Sequence, residues 1–535
     1  MAYANPAGRP TSHGSAQLVG PRQAGLVRMG RGVTAFPLGV APGVFGREVG
    51  LQSWPAGQNL LILGPSRSGK GVNFFVPGLL SAVDQPTRPT FVVSDPKGEL
   101  LALSRTRLEA AGYSVHVVAL SDPGLSDPWN PLAWLDTGSG EPDYAEAQAL
   151  AQALVPASPQ AKDPFWDSAA RLIAAASAVL AYRLAPHALK RPGNLADMLA
   201  LAYTVVSDPS GMAAVAGQHD AWAAEQLRIL AGSLENDPKL AASISVDIPV
   251  RYQSWTQPSM LSILAQPATW TWADVLDDSS QPHAVFVMAS STQSAQQVVL
   301  WSSLMAAGIR LQRERGRFVR PTWLLLDEAA NIGPVSSLLT ALTVLPGAGV
   351  STVLGLQSTQ QVETVYDPAQ AKTILASLHG YVVLSGADHD SAQWVSDRLG
   401  VGTVRTQVRQ TDRHGSVSWY AESHQRRVLT PDEVAGLRPS QILVQRLGFG
   451  GTKLRARPYY TVRTWSAEAA AGNPSSPLIA ERLAAMRHEV LAPPTLQGLA
   501  EALLAAYMAP PPEDGQPVSA AEVEDITAQL KDLLK

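Results

Sequence analysis

The chain has 535 residues, 46% of them hydrophobic and 16% charged, with a formal net charge of -4. That length exceeds one ordinary core and predicts two or three lobes, while the weak net charge excludes a surface basic over its whole extent and leaves room only for a local basic channel. Zero cysteines exclude disulfides, thiolate metal sites and cysteine nucleophiles.

Residues 1–50 are rich in Gly, Pro and Arg, lack the apolar core of a signal peptide, and read as an extended lead-in. Residues 51–143 change pattern. "LLIL" runs into a glycine turn and a helix, followed by the strand "TFVVSD", a helix near Leu100–Ala111 and the strand "SVHVVAL". This is the βαβ rhythm of a parallel sheet covered by helices. Over residues 144–277 strand signals nearly vanish, and "AEAQALAQALV", "SAARLIAAASAVLAYRLA" and "AAEQLRILAGSL" place apolar residues at three and four spacing, which predicts an all-helical insertion.

The longest strongly apolar run, Leu172 to Tyr182, is flanked by Arg171 and Arg183 and is shorter than the ~20 residues a bilayer crossing needs, so the chain reads as soluble and cytosolic. Strands return over 278–465 at "HAVFVMAS", "TWLLLDEA", "STVLGLQS", "GYVVLSG" and "QILVQRL". Residues 466–535 are Ala- and Pro-rich, with a helical stretch near 478–508 and a short acidic amphipathic segment after a Pro-rich linker. The expected class is α/β, one mainly parallel sheet domain interrupted by an all-α domain.

Gly64-Pro65-Ser66-Arg67-Ser68-Gly69-Lys70, between "LLIL" and "VNFFV", has the spacing of a phosphate-binding loop. In such a loop successive backbone N–H groups converge on oxyanions at a helix amino terminus, and Lys70 reaches the β and γ phosphates. Position 71 departs from the pattern: Gly71 stands where Ser or Thr usually supplies a Mg²⁺ ligand. The metal then relies on nucleotide oxygens, water and Asp327, which is tolerable because Mg²⁺ keeps several waters. In "TWLLLDEAAN", four apolar residues end in Asp327-Glu328, a carboxylate placed to hold Mg²⁺ through water with a second beside it to orient or deprotonate the attacking water. A strand ending in two solvated acids is the plain alternative. The next strand, "STVLGLQSTQQ", ends in Gln357, whose amide can bond both the γ phosphate and the lytic water.

With these, the blocks "VVSDPKGELLALSRTRLEAAGYSVHVV", "DPWNPL", "DPFWDSAARLI", "LLLDEAANIG" and "RRVLTPDEVAGLRPSQILVQRLG" resemble the VirD4/TraG family of type IV secretion coupling proteins, over most of His13–Trp465 and least in the helical lobe. The resemblance implies a RecA-like P-loop NTPase domain with an all-α lobe, assembled as a homo-hexamer at the cytoplasmic face of the inner membrane. It implies ATP and Mg²⁺ as cofactors, and as partners a relaxase-bound DNA strand or an effector protein together with the secretion channel. Gly69 and Lys70 then bind phosphate, Asp327 and Glu328 serve Mg²⁺ and hydrolysis, and Gln357 is the sensor. "DPKGE", Asp95 to Glu99, matches a family block expected near the nucleotide.

Two departures stand out. Relatives usually begin with transmembrane helices, so the expectation is an anchor that was removed or is supplied by another polypeptide. Relatives also often carry "RGxG" where this chain has Pro346-Gly347-Ala348-Gly349, so Arg398 or Arg405 is expected to substitute as the arginine reaching a neighbour's site, or hydrolysis is slow.

Basic residues cluster at Arg310–Arg320, Arg405–His414 and Lys453–Tyr460, and Trp419 and Tyr420 are candidates for base stacking or for packing a hairpin. Two other functions fit the same motifs: an FtsK/HerA-like DNA translocase, and a cargo receptor that binds nucleotide with little turnover.

Overall fold

The computed structural model describes residues 14–29, 34–42, 48–156, 165–335, 337–411, 417–466 and 477–508. Among the described residues fourteen strands run in chain order: β1 Val27–Arg28, β2 Ala35–Pro42, β3 Glu48–Pro55, β4 Leu60–Leu63, β5 Thr90–Ser94, β6 Ser114–Ala119, β7 His283–Met288, β8 Thr322–Leu326, β9 Val350–Leu356, β10 Gly380–Val383, β11 Val401–Thr411, β12 Val417–Arg427, β13 Gln441–Arg446 and β14 Thr452–Arg455. All but β11 and β12 join a 12-stranded sheet in the order β1-β3-β2-β14-β13-β10-β4-β9-β8-β5-β7-β6. From β10 to β6 every neighbour is parallel, whereas β13, β14, β2, β3 and β1 extend the sheet in antiparallel pairs.

The stretch read as an extended lead-in therefore holds two paired strands and the start of a third. Their short, Pro- and Gly-broken sequences, "AFPLGVAP" and "EVGLQSWP", show little apolar period because register shifts interrupt the β2–β3 ladder at Pro37/Gly39 and Val40/Ala41.

The parallel strands are apolar throughout because both faces are covered. In β4, Leu61 and Leu63 face one core while Leu60 and Ile62 face the other. β8 divides likewise, Leu324 and Leu326 against Trp323 and Leu325. The first core continues without a break into the helical block, where Phe165–Ala188 buries Ile173, Val179, Leu180 and Leu184 against Leu195–Ser207. Phe165–Ala188 is long and apolar enough to cross a membrane by length and composition, yet 72% of its apolar window is buried inside the protein.

Helices Tyr144–Leu154, Phe165–Ala188, Leu195–Ser207, Pro209–His219, Ala221–Glu235 and Pro238–Tyr252 occupy the predicted helical region. Their starts are set by side-chain caps: Asp143, Asn194, Asp208, Asp220 and Asp237 each accept from first-turn amides. After residue 466 the chain divides. Pro477–Ala485 lies on Glu99–Ala110, where Arg482 donates to Ala102 O at 2.8 Å. Leu496–Met508 returns to the helical block and buries Leu499, Leu503 and Leu504 in its core. The acidic segment beyond the Pro-rich linker lies outside the described residues.

Gly380 opens β10 with no space around it: an added Cβ lies 2.3 Å from Gln445 O and 2.4 Å from Trp54 Cη2. Gly217, in Pro209–His219, has nothing within 4 Å. Gly380→Ala is expected to destabilise by about 1–3 kcal/mol through overpacking, and Gly217→Ala to stabilise by up to about 1 kcal/mol through helix propensity. Thermal unfolding of the two variants beside the parent checks both signs.

Candidate active site

The parallel order sets the site. β4 delivers the loop Gly64–Lys70, β8 delivers Asp327 and Glu328, and β9, which delivers Gln357, lies between them. Because these strands are parallel, their carboxyl ends meet at one edge of the sheet, the usual place for a ligand in an open α/β fold. Gly64 N–H donates to Leu356 O at 3.1 Å, tying the base of the loop to the residue before Gln357.

The loop needs unusual backbone. Gly69 has φ +94°, where a Cβ would lie 2.6 Å from Asn73 Nδ2, and Arg67 holds φ +60° without being glycine. Such strain costs on the order of 1–3 kcal/mol and persists only where the surroundings enforce it. Lys70, 8% exposed, donates from Nζ to Gly64 O at 2.7 Å and Pro65 O at 3.2 Å. The helix that follows starts as a π-turn, Gly71–Phe75, and continues as Val76–Ser81. Gly71 has nothing within 4 Å of a built Cβ, so a hydroxyl side chain at this position is absent by sequence and not excluded by packing.

Burial pushes the Lys70 ammonium pKa down, and the negative charges of Asp327 and Glu328 oppose that push. Asp327 is itself raised to about 6, by burial first and by Glu328 in addition, against the lowering effect of Lys70. Its Oδ1 is buried and accepts no hydrogen bond among the described residues; Gly355 in β9 leaves the space in front of it, since a Cβ there lies 3.1 Å away. A buried, unpartnered carboxylate oxygen beside a lysine and a second carboxylate suits a hard divalent cation. These residues fit Mg²⁺ held with a triphosphate.

Glu328 has φ +57° and accepts at Oε2 from Asn331 Nδ2 at 2.8 Å. The backbone N–H of Gln357 donates to Gln361 Oε1 at 2.7 Å. Asp95 follows β5, the neighbour of β8, and the charge of Asp327 is felt there, adding to the upward push of burial on its pKa. One of its oxygens is committed: Oδ2 accepts Leu101 N–H at 2.8 Å, capping Glu99–Ala110. Lys97, which sequence reasoning did not single out within "DPKGE", is near enough to Asp327 to lower its pKa.

Other candidates are placed elsewhere. Arg310 stacks 3.7 Å over Trp134 and donates to its carbonyl, and Arg320, just before the amino end of β8, donates to Ser279 O, so these two arginines are engaged within the chain. Arg398 lies 3.7 Å over Trp394. Arg405 sits on the two-stranded ribbon β11–β12, with Arg409 paired opposite an exposed Trp419. In the Lys453–Tyr460 cluster, Tyr459 is fully buried against Tyr460. His414 and the ribbon tip lie outside the described residues.

Comparison with known proteins adds a lineage. The family model described as "Type IV secretory system Conjugative DNA transfer" matches residues 38–477. The chain is 23% identical over 426 residues to Protein VirD4 of Agrobacterium fabrum, covering 75% of this chain and 59% of that protein. It is 25% identical over 410 residues to the conjugal transfer protein TraG of Escherichia coli, covering 70% and 61%. It thus spans about three fifths of the length of these curated relatives.

Among solved structures, the unbound bacterial conjugative coupling protein TrwBdeltaN70 superposes with TM-score 0.60 at 20% identity, over 83% of this chain and 92% of that one. TrwB in complex with the ATP analogue ADPNP superposes with TM-score 0.58 at 20% identity, over 84% and 96%. The chain thus shares the fold of these coupling-protein structures.

Asp95, raised to about 7 chiefly by burial, and Asp327 bind protons more tightly folded than unfolded. Their contribution to stability is therefore complete below the ordinary carboxylate range near pH 4 and is lost as pH rises toward 7. Asp95→Asn, neutral at every pH, is expected to lie below the parent in Tm at pH 4.5 and to gain on it steadily up to pH 7.5. A constant Tm difference across that range contradicts the assignment.

Proposed function

The chain belongs to the type IV secretory system conjugative DNA transfer family, and from that membership we propose that it is an ATP-binding and ATP-hydrolysing coupling protein. In this reading it recruits relaxase-bound DNA or protein cargo and drives it toward a secretion channel. One observation carries the proposal. The loop ending in Lys70 follows β4, and Asp327 and Glu328, more than two hundred residues further on, follow β8 at the same edge of the parallel strands, where Asp327 Oδ1 is buried and has no hydrogen-bond partner among the described residues.

The chemistry follows from the positions. The amides of Gly64–Gly69 and the Lys70 ammonium bind the β and γ phosphates once Lys70 Nζ exchanges the carbonyls of Gly64 and Pro65 for phosphate oxygens. Asp327, whose Oδ1 is buried and without a partner among the described residues, would hold Mg²⁺, and the ion would supply neutralisation of charge on the transferred phosphoryl group. Glu328 accepts the proton of the attacking water, and Gln357, beside the base of the loop, orients that water and senses the γ phosphate. Asp95 accepts from the first turn of the helix that begins at Glu99, within "DPKGE".

The remaining parts of the reading are a sheet domain of residues 51–143 and 278–465, a helical cargo-facing domain of 144–277, assembly as a homo-hexamer, and action at the cytoplasmic face of the inner membrane. Non-specific contact with DNA is supported by the β11–β12 ribbon, where Arg405 and Arg409 have no carboxylate partner among the described residues and Trp419 is 63% exposed. A translocase of the FtsK/HerA type is disfavoured by the family match.

Steady-state ATPase assays test the reading. Lys70→Ala is expected to lose nucleotide binding and turnover together, whereas Glu328→Gln keeps ATP binding and loses turnover by 10²-fold or more. Equal background activity in all three proteins rejects the motor. Gly71→Ser, placed in open space, is expected to tighten Mg²⁺-dependent nucleotide binding several-fold. Unchanged affinity in a binding titration would mean that the metal lies away from this helix start.

A further inference from the structure

Glu328 is held in an unusual way. Its backbone lies in the left-handed region, φ +57° and ψ +49°, a conformation that is strained for a non-glycine residue. Asn331 grips it at two points: the Asn331 backbone N–H donates to Glu328 O at 2.8 Å, and Nδ2 donates to Glu328 Oε2 at 2.8 Å. Both the turn and the carboxylate are therefore set by one residue, and Oε1 of Glu328 is left free of any hydrogen bond from Asn331.

Asn331 is in turn anchored. Its carbonyl accepts from Gln297 Nε2 at 3.3 Å, and the same nitrogen donates to Ser290 O at 3.0 Å. Gln297 is 1% exposed on Ser294–Arg315, a helix whose other buried side chains pack into the core shared with the helical block. The adjacent Gln296, 5% exposed, donates to Ser254 O at 3.0 Å, just beyond the last turn of Pro238–Tyr252. Two neighbouring buried amides thus reach in different directions, one into the loop that carries Glu328 and one into the helical block.

Burying two glutamines side by side in an apolar core is costly unless each finds partners. Here the side-chain amides donate to backbone carbonyls, Gln297 to Ser290 and Asn331 and Gln296 to Ser254. An apolar pair of equal volume would fill the same space without fixing either segment.

We propose that Asn331 is the positioning residue for Glu328, holding its carboxylate oriented toward the attacking water, and that Gln297 acts through Asn331. This rests on the reading of Glu328 as the base for hydrolysis. Because Gln296 ties the same helix to Ser254, the helical block and the carboxylate share one rigid connector.

The experiment is steady-state ATPase kinetics on the full chain, with thermal unfolding in parallel. Asn331→Ala is expected to lower kcat at least 10-fold with KM for ATP within about twofold. Asn331→Asp preserves shape but replaces the donor with a like charge beside Glu328, and is expected to fall at least as far as Asn331→Ala. A merely structural role predicts the opposite order, with the isosteric Asp variant the more active. Gln297→Met, which keeps volume, is expected to lower kcat about three-fold or more, and adding it to Asn331→Ala is expected to cost nothing further.

Normal kcat in both Asn331 variants, or multiplicative losses in the double variant, overturns the proposal. Failure of the underlying reading looks different: the parent protein itself then shows no turnover that Lys70→Ala abolishes. If Asn331→Ala lowers Tm sharply and raises KM together with its loss of kcat, the residue is structural and the proposal fails.

Discussion

A buried ammonium brought to the same sheet edge as two acidic side chains is the constraint on which the rest of this structure depends. Taken alone, each of these charges is costly to remove from water, as the downward pull of burial on Lys70 and the upward pull on Asp327 record. Together they are tolerable only if strand β4 and strand β8 end at the same edge with β9 between them. The parallel sheet is what guarantees this, because every strand enters from the opposite edge and leaves at the same one. One detail is itself informative: beside Lys70 and Lys97, Asp327 keeps a buried oxygen without a hydrogen-bond partner among the described residues, the condition of a site completed by a cation.

Holding the sheet so firmly requires cover on both faces, and the chain supplies it by different means. One face is buried by local βαβ crossovers such as Glu99–Ala110, which the C-terminal helix Pro477–Ala485 then overlies. The other merges with the helical block, so the inserted helices and the strands share a continuous core. Leu496–Met508 closes that block from the far end of the sequence. The insertion is therefore packed as part of the site's support, and the buried pair Gln296 and Gln297 gives that packing a polar, directional component.

Strain is concentrated at the same edge. Among the described non-glycine residues, Arg67 and Glu328 are two of three with positive φ, and both belong to the loops that follow β4 and β8. Their neighbours over-determine them: the Pro65–Ser68 turn and Lys70 Nζ for the first, Asn331 for the second. The ribbon β11–β12 contrasts with this, since its firm attachments gather near its base, where Thr403 donates to Gly14 O and Arg427 meets Ser396 and Asp397, while Arg409 and Trp419 stand in solvent.

Much of this was legible in the sequence because local chemistry writes it there. Four apolar residues before a glycine loop, or before two acids, mark strands buried on both faces, and apolar spacing of three and four marks helices; Gly64–Lys70, Asp327, Glu328 and Gln357 were found in this way. What sequence left open depends on partners distant along the chain. The strands of residues 27–55 are irregular and gain their identity only by pairing with β14 and with each other. The cap that Asp95 makes, the stacking that occupies Arg310 and Arg398, and the grip of Asn331 on Glu328 are invisible to pattern, because a side chain's hydrogen-bonding partner is chosen by three-dimensional proximity. Sequence alone determined which residue types reach the sheet's carboxyl edge, since periodicity and turn chemistry are local. Only the tertiary structure decided which of them meet there, since that follows from strand order and from which buried charges can be accommodated together.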